Sequence, residues 1–277
     1  MAKLYCILAR AANTAVIFRR GPGKLIRLIS WDLSRHTFEP GQWFKGQIYV
    51  RKSDLSPDGS KLVYFAAKFR PPLETWIAVS TPPYLTAHVL WEGMGTWNDI
   101  SLFEENGGTL ALATYRSDSS LAPYAGFAIP KGLRVRAKPW VGCFFTLADH
   151  ERLVRDGWSV ASGDPVYRGG KTGRAPPVVY RKDVEARRHP VWLECSATSE
   201  HHLSYALCST VSDGMDLQAD WADCRGKEVY FSRGGKLFGL SIPRMVRDLN
   251  SAPVRELADF TDMTFESVEA PAWVMKW

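Results

Sequence analysis

Three aspartates stand where carboxylate chemistry can be built. Asp54, Asp99 and Asp220 each fall on a short stretch that reads as a strand, and Glu74 and Glu92 lie in the neighbouring sequence. Two carboxylates about 5 to 9 Å apart can cleave a glycosidic bond, one as acid and the other as base or nucleophile. Other chemistries lack their spacing. Gly170-Lys171-Thr172 imitates a phosphate-binding loop, but the glycine required five positions before the Gly-Lys pair is Pro165, so the run reads as an insertion. Histidines 36, 88, 150, 189, 201 and 202 show no metal-ligand pattern; on a strand the adjacent His201 and His202 point to opposite faces. There is no GxSxG nucleophile elbow. The five cysteines, 6, 143, 195, 208 and 224, are odd in number and form no CxxC pair, which argues against a disulfide framework or structural zinc and for packed thiols. No metal and no cofactor are expected.

A second kind of chemistry is charge. Between Asp164 and Pro190 the chain carries seven basic residues, Arg168, Lys171, Arg174, Arg181, Lys182, Arg187 and Arg188, against three acids. With a net charge of +6, this segment suits an acidic partner. Only Tyr167 and Tyr180 interleave with it, too few stacking rings to favour nucleic acid.

The elements that must hold these groups are set by a repeat. Trp43, Trp91 and Trp140 stand 48 and 49 residues apart, and Asp58-Gly59, Asn106-Gly107 and Asp156-Gly157 follow them. Asx and Gly tolerate the positive φ of tight hairpin turns, so a period near 48 predicts repeated β units. Between the landmarks the chain reads as short strands: 3–9, 15–19, 24–31 and 37–44, then 47–51, 61–68, 75–80 and 87–91, then 99–103, 109–115, 126–130 and 133–138. Further on, strands are expected at 178–181, 191–194, 227–232, 236–242 and 254–260, and the tail 261–277 is expected to add an outer strand. Asp220 to Phe231 aligns without gaps on Asp54 to Phe65, sharing Asp, Lys, Val, Tyr and Phe. The repeated tryptophans suit a packing rule between units. Trp97 breaks the ladder and is the better ligand candidate.

The run Leu55-Ser56-Pro57-Asp58-Gly59-Ser60-Lys61-Leu62-Val63-Tyr64-Phe65 resembles the core of TolB-type and WD-like β-propeller repeats; Asn106-Gly107-Gly108-Thr109-Leu110 is a partial copy. The resemblance implies an all-β propeller of four-stranded antiparallel blades in one domain over 1–277. Five blades fit, at 1–46, 47–95, 96–141, 142–194 and 195–277, and the length of the last leaves room for a sixth. Five-bladed propellers include glycosidases with three acids around a central pocket, which is the enzymatic alternative for Asp54, Asp99 and Asp220. The same resemblance places Asp54 and Asp220 away from the usual ligand face.

Composition sets the remaining bounds. Hydrophobic residues make up 45% and charged residues 23%, ordinary globular usage, and aromatics at 12% suit stacked sheets. No apolar run is long enough for a membrane span, and Leu4 to Ala9 reads as a strand rather than a signal peptide, so a cytoplasmic location is expected. Residues 1–30 carry six basic groups and no acid, whereas 248–277 carry six acids against two basic residues, so the ends of the chain attract each other. The leading reading is a non-enzymatic propeller that presents loops to a protein partner, an acidic one by charge, through Trp97, Arg168, Lys171, Arg174, Arg187 and Arg188. The alternatives are a glycosidase-like hydrolase and a polyanion-binding module. Oligomeric state is not readable.

Overall fold

The computed structural model describes residues 1–93, 95–97, 100–113, 121–138, 144–145, 147–167, 177–186, 189–199, 201–242 and 248–277. Its contacts divide the chain into two compact units: an N-terminal unit of Cys6–Gly142 with Met263–Trp277, and a C-terminal unit of Met1–Tyr5 with Cys143–Asp262. Both are built almost wholly of antiparallel sheet.

The first sheet follows chain order: β1 (Lys3–Leu8), β2 (Thr14–Arg20), β3 (Leu25–Asp32) and β4 (Thr37–Lys45). Burial falls from inner to outer strand. In β2, Ala15 to Arg19 are all buried, whereas β4 buries only Gly41, as expected when both faces of inner strands are covered and the outer strand meets solvent. Pro40 is tolerated in β4 because an outer strand can spare a backbone donor. The second sheet has a broken inner strand. β5 (Gln47–Ile48) and β6 (Asp54–Leu55) flank a 3-10 turn, Val50–Lys52, and both pair with β7 (Leu62–Ala67), followed by β8 (Thr75–Ser80) and β9 (Ala87–Glu92). In the first sheet the expected strands form in the expected order; in the second, the strand expected over 47–51 stops at Ile48 ahead of the 3-10 turn, and the other three form in order.

The third sheet departs from expectation. β10 (Leu102–Phe103) pairs antiparallel with β11 (Thr109–Ala113), but β12 (Arg134–Lys138) runs parallel to β11. The strand expected over 126–130 is absent: Gly126 takes φ +89 in a turn, and Pro130 closes a segment with no ladder bonds. Trp91 lies 3% exposed among Phe65, Phe103, Leu110 and Leu112, so its ring fills the space between the second and third sheets, whereas Trp43 is half-buried beside Arg19, Arg27 and Phe265, and Trp140 lies outside the described residues.

The C-terminal unit opens with β13 (Phe144–Phe145), helix α1 (His150–Arg155), β14 (Ser159–Ser162) and β15 (Val166–Tyr167). It continues with β16 (Val178–Val184), β17 (Val191–Ser199), β18 (His202–Ser209) and β19 (Met215–Asp216). One sheet has the order β14-β16-β17-β18-β19, and β13 pairs with β15. A last four-stranded sheet, in chain order, is β20 (Trp221–Arg225), β21 (Glu228–Arg233), β22 (Lys236–Ser241) and β23 (Val254–Asp259). The alignment of Asp220–Phe231 on Asp54–Phe65 holds at the second strand, where Val63, Tyr64 and Phe65 and Val229, Tyr230 and Phe231 are buried alike. The third Asx-Gly pair is no hairpin. Asp156 caps α1 and Gly157, at φ +94, ends it, with the Trp158 amide donating to Leu153 O at 2.9 Å and Gly157 to Val154 O at 3.2 Å, a Schellman motif.

The tail forms no outer strand. Residues 263–277 cross the N-terminal unit as a strap with one 3-10 turn, Ala272–Met275, in which Val274 is fully buried. Among the described residues no helix is long and apolar enough to cross a membrane. The chain is thus an all-β protein of consecutive sheets, mostly of four or five antiparallel strands among the described residues, of the propeller-blade type.

Candidate functional site

In an antiparallel meander alternate connections lie at the same end of the sheet, and three of them meet in the N-terminal unit. The β2–β3 loop ends in Lys24; the β4–β5 junction is Lys45-Gly46-Gln47; the β7–β8 loop begins Lys68-Phe69-Arg70. Together with Leu25 and Ala67 these residues line a cleft of about 370 Å³, within the range of ligand-sized sites.

Each lip is positioned by identifiable contacts. Arg19, 1% exposed, donates to Gly21 O and lies over the Trp43 ring at 5.6 Å, which fixes the turn that delivers Lys24. The Gly46 amide donates to Lys24 O at 2.9 Å. A Cβ on Gly46 would stand 2.5 Å from Phe44 Cε1 and 3.0 Å from Ala67 O, so only glycine lets the junction lie this close to β7. On the third lip, the amides of Lys68 and Phe69 both donate to Glu74 O, at 2.9 and 3.0 Å. Phe69 sits at φ +54 with half its surface exposed. A bulky residue in the left-handed region stores about 1–3 kcal/mol of strain, the kind of outlier that clusters at binding surfaces.

The electrostatics are one-sided. Lys24, Lys45, Lys68 and Arg70 surround the cleft, no acid lines it, and none of the four has an ion-pair partner among the described residues. Two of them face rings instead: the Lys68 ammonium is 5.4 Å from the Phe44 centroid and that of Lys45 is 3.9 Å from Phe265. Phe265 belongs to the strap. Next to it Glu266 pairs with Arg27, a nearly buried guanidinium that also donates to Gly41 O and lies 5.3 Å from the Trp43 ring. Val268 O accepts from Gln42 Nε2 at 3.1 Å. The predicted attraction between the basic start and acidic end of the chain is therefore realised at Arg27 and Glu266.

Farther along, the strap lays Trp273 edge-on to Tyr84, and places Trp277 beside His88 and 4.7 Å from the Lys61 ammonium. His88 Nε2 and Lys61 Nζ both meet Thr81 Oγ1, at 2.8 and 3.0 Å. Burial, then the Lys61 charge, hold the His88 imidazole below its ordinary pKa.

Of the candidates from sequence, Asp54 and Asp220 fall elsewhere. Asp54 is fully buried, and its Oδ2 accepts the Phe103 amide at 2.8 Å, tying β6 to β10. Asp220, just before β20, accepts the Gly234 amide of the β21–β22 turn at 3.0 Å and pairs with Lys3 of β1 at 3.2 Å. Asp99, Arg168, Lys171, Arg174, Arg187 and Arg188 lie outside the described residues, and Trp97 is described only as the end of the 3-10 turn Gly95–Trp97. No group of three or more His, Cys, Asp or Glu able to hold a metal occurs among the described residues. The cleft escaped the sequence because its cations come from three loops, each unremarkable by itself; the run Lys68-Phe69-Arg70 between two strands was the one local signal.

No family model and no curated protein matches the chain. Among solved structures it is similar to the acylaminoacyl peptidase of Pyrococcus horikoshii, with 12% identity, 94% of this chain and 53% of that one covered and a TM-score of 0.30. It is also similar to an uncharacterized protein of Listeria monocytogenes, with 9% identity, 94% and 84% covered and a TM-score of 0.29. The β-propeller domain of the Trilobed protease from Pyrococcus furiosus shares 10% identity over 96% of this chain and 98% of that one, with a TM-score of 0.31. The chain spans about half the length of the first of these, the peptidase.

Proposed function

We propose that this chain is a non-enzymatic binding protein whose cationic cleft receives an acidic segment of a partner protein. The observation that supports it is the set of four cations, Lys24, Lys45, Lys68 and Arg70, around a ligand-sized cleft with no acid among the described residues of its lining. Lysines and an arginine held near one another repel, and an incoming polyanionic segment relieves that repulsion as well as adding new ion pairs. Arg168, Lys171, Arg174, Arg187 and Arg188 add to the same basic character by sequence alone.

The test is binding of a fluorescein-labelled oligoglutamate peptide, followed by anisotropy at low salt. Exchanging Lys68 and Arg70, both exposed, for glutamate reverses two of the four charges and should weaken binding at least tenfold. Equal affinity for the doubly exchanged and parent proteins would remove the cleft from the reading.

A further inference from the structure

On the reading just given, we infer that the segment recognised at the cleft is acidic and carries an aromatic ring beside a carboxylate. Four observations lead there. The cleft's lysines take rings as neighbours: Lys68 has Phe44 at 5.4 Å and Lys45 has Phe265 at 3.9 Å. The chain's own strap shows the same chemistry in place, for Phe265 caps Lys45 while the adjacent Glu266 pairs with Arg27. Consecutive residues of the strap thus satisfy Lys45 of the cleft through a ring and Arg27, outside the cleft lining, through a carboxylate. Lys24 and Arg70 have neither a ring nor an acid among the described residues, which leaves two cations for the carboxylates of an incoming segment. Finally, Phe69 is held half-exposed on the lip at φ +54, giving an apolar face against which a ligand ring packs.

The combination distinguishes an acidic peptide from a bare polyanion. A polyphosphate gains from the four charges but nothing from Phe69, because it has no ring and no apolar surface. A Phe-Glu pair gains from both, since cation–π contacts and ring burial add to the ion pairing. An extended chain also fits the geometry, because successive residues about 3.3 Å apart can alternate between lip and floor.

The experiment compares two labelled octapeptides of equal charge, one of six glutamates and two phenylalanines and one with both phenylalanines replaced by alanine, with inorganic polyphosphate as competitor. The phenylalanine peptide should bind about fivefold or more tightly than its alanine counterpart, a difference on the scale of exposed cation–π and ring contacts. Phe69→Ala should erase that preference, weakening the phenylalanine peptide more than the alanine peptide. K68E/R70E should weaken both peptides. Equal affinity for the two peptides overturns the ring requirement but leaves the acidic-partner reading standing. If polyphosphate binds and neither peptide does, or if nothing binds, both the inference and the reading beneath it fall.

Discussion

The Lys45 ammonium lies 3.9 Å from the centroid of the Phe265 ring, so one cation of the cleft is covered by a residue 220 positions further along the chain. The ring is 44% exposed and its neighbour Glu266 is 60% exposed, so the contact is made at the surface. Exposed cation–π contacts contribute about 0.5–1 kcal/mol. The strap is anchored mainly elsewhere, by the fully buried Val274 and by Gln42 on Val268 O. Phe265→Ala is therefore expected to shift stability by less than about 1 kcal/mol and to raise affinity for the acidic peptides two- to fivefold by uncovering Lys45. Chemical denaturation and anisotropy on the same protein check both halves. A fall in affinity would mean that Phe265 is part of the binding platform instead of a cap on it.

Asp54 was a candidate acid by sequence, and its surroundings define a structural task for it. The carboxylate is fully buried and receives the Phe103 amide at 2.8 Å, joining the second sheet to the third. Removing it strands a buried donor. Asp54→Ala should cost about 1–3 kcal/mol, while Asp54→Asn, which keeps an acceptor oxygen, should cost less. Urea midpoints at constant m-value measure the two, and similar losses in both variants would count against the hydrogen bond as the cause.

The repeat in the sequence was legible for a physical reason, and it misled for the same reason. Asx-Gly marks a place where the backbone turns left-handed, and that requirement is met at Gly59, Gly107 and Gly157 alike. What the turn connects is decided by residues farther away. At Gly59 it joins β6 to β7, with Asp58 Oδ1 accepting from Ser56 Oγ and the Ser60 amide; at Gly157 it ends α1. Nothing within the two-residue signal separates a hairpin from a helix end. The strands of the first two sheets were legible because apolar runs there are bounded by turn formers on both sides. The parallel pairing of β12 was not, because it rests on a long-range choice of partner. The cleft was illegible for the same reason, since Lys24, Lys45 and Lys68 meet only after the meanders form.

Two glycine substitutions separate backbone strain from steric conflict. A Cβ on Gly157 would have Lys182 Cε as its nearest described neighbour, at 3.8 Å, so Gly157→Ala should cost only the strain of φ +94, about 1 kcal/mol. On Gly59 the same atom would come within 2.1 Å of Thr14 Cγ2 as well as taking φ +75. Gly59→Ala should therefore cost more, by roughly 1–3 kcal/mol of overpacking. Adding Thr14→Ser removes the clashing methyl and should recover part of the loss at Gly59. Recovery of nothing would assign the whole cost to the backbone.

Cys224 gives the C-terminal unit a predictable response to alkali. Burial pushes its thiol up to about 12, the Asp223 charge adds to the effect, and Lys182 opposes it. The unfolded thiol titrates near 8.5. Between those values the unfolded chain releases a proton that the folded one keeps, so the stability tied to the neutral thiol is complete below about pH 8.5 and is lost as pH rises toward the folded value. Tyrosines and lysines titrate in part of the same range, so the informative quantity is the difference between the parent protein and Cys224→Ala. That difference should be flat from pH 6 to 8 and should move in favour of the alanine variant from about pH 9 upward. Urea denaturation at pH 7 and pH 10 measures it. A constant difference across both pH values would mean that the folded thiol ionises as freely as the unfolded one, and burial around Cys224 would then have to be looser than its 4% exposure implies.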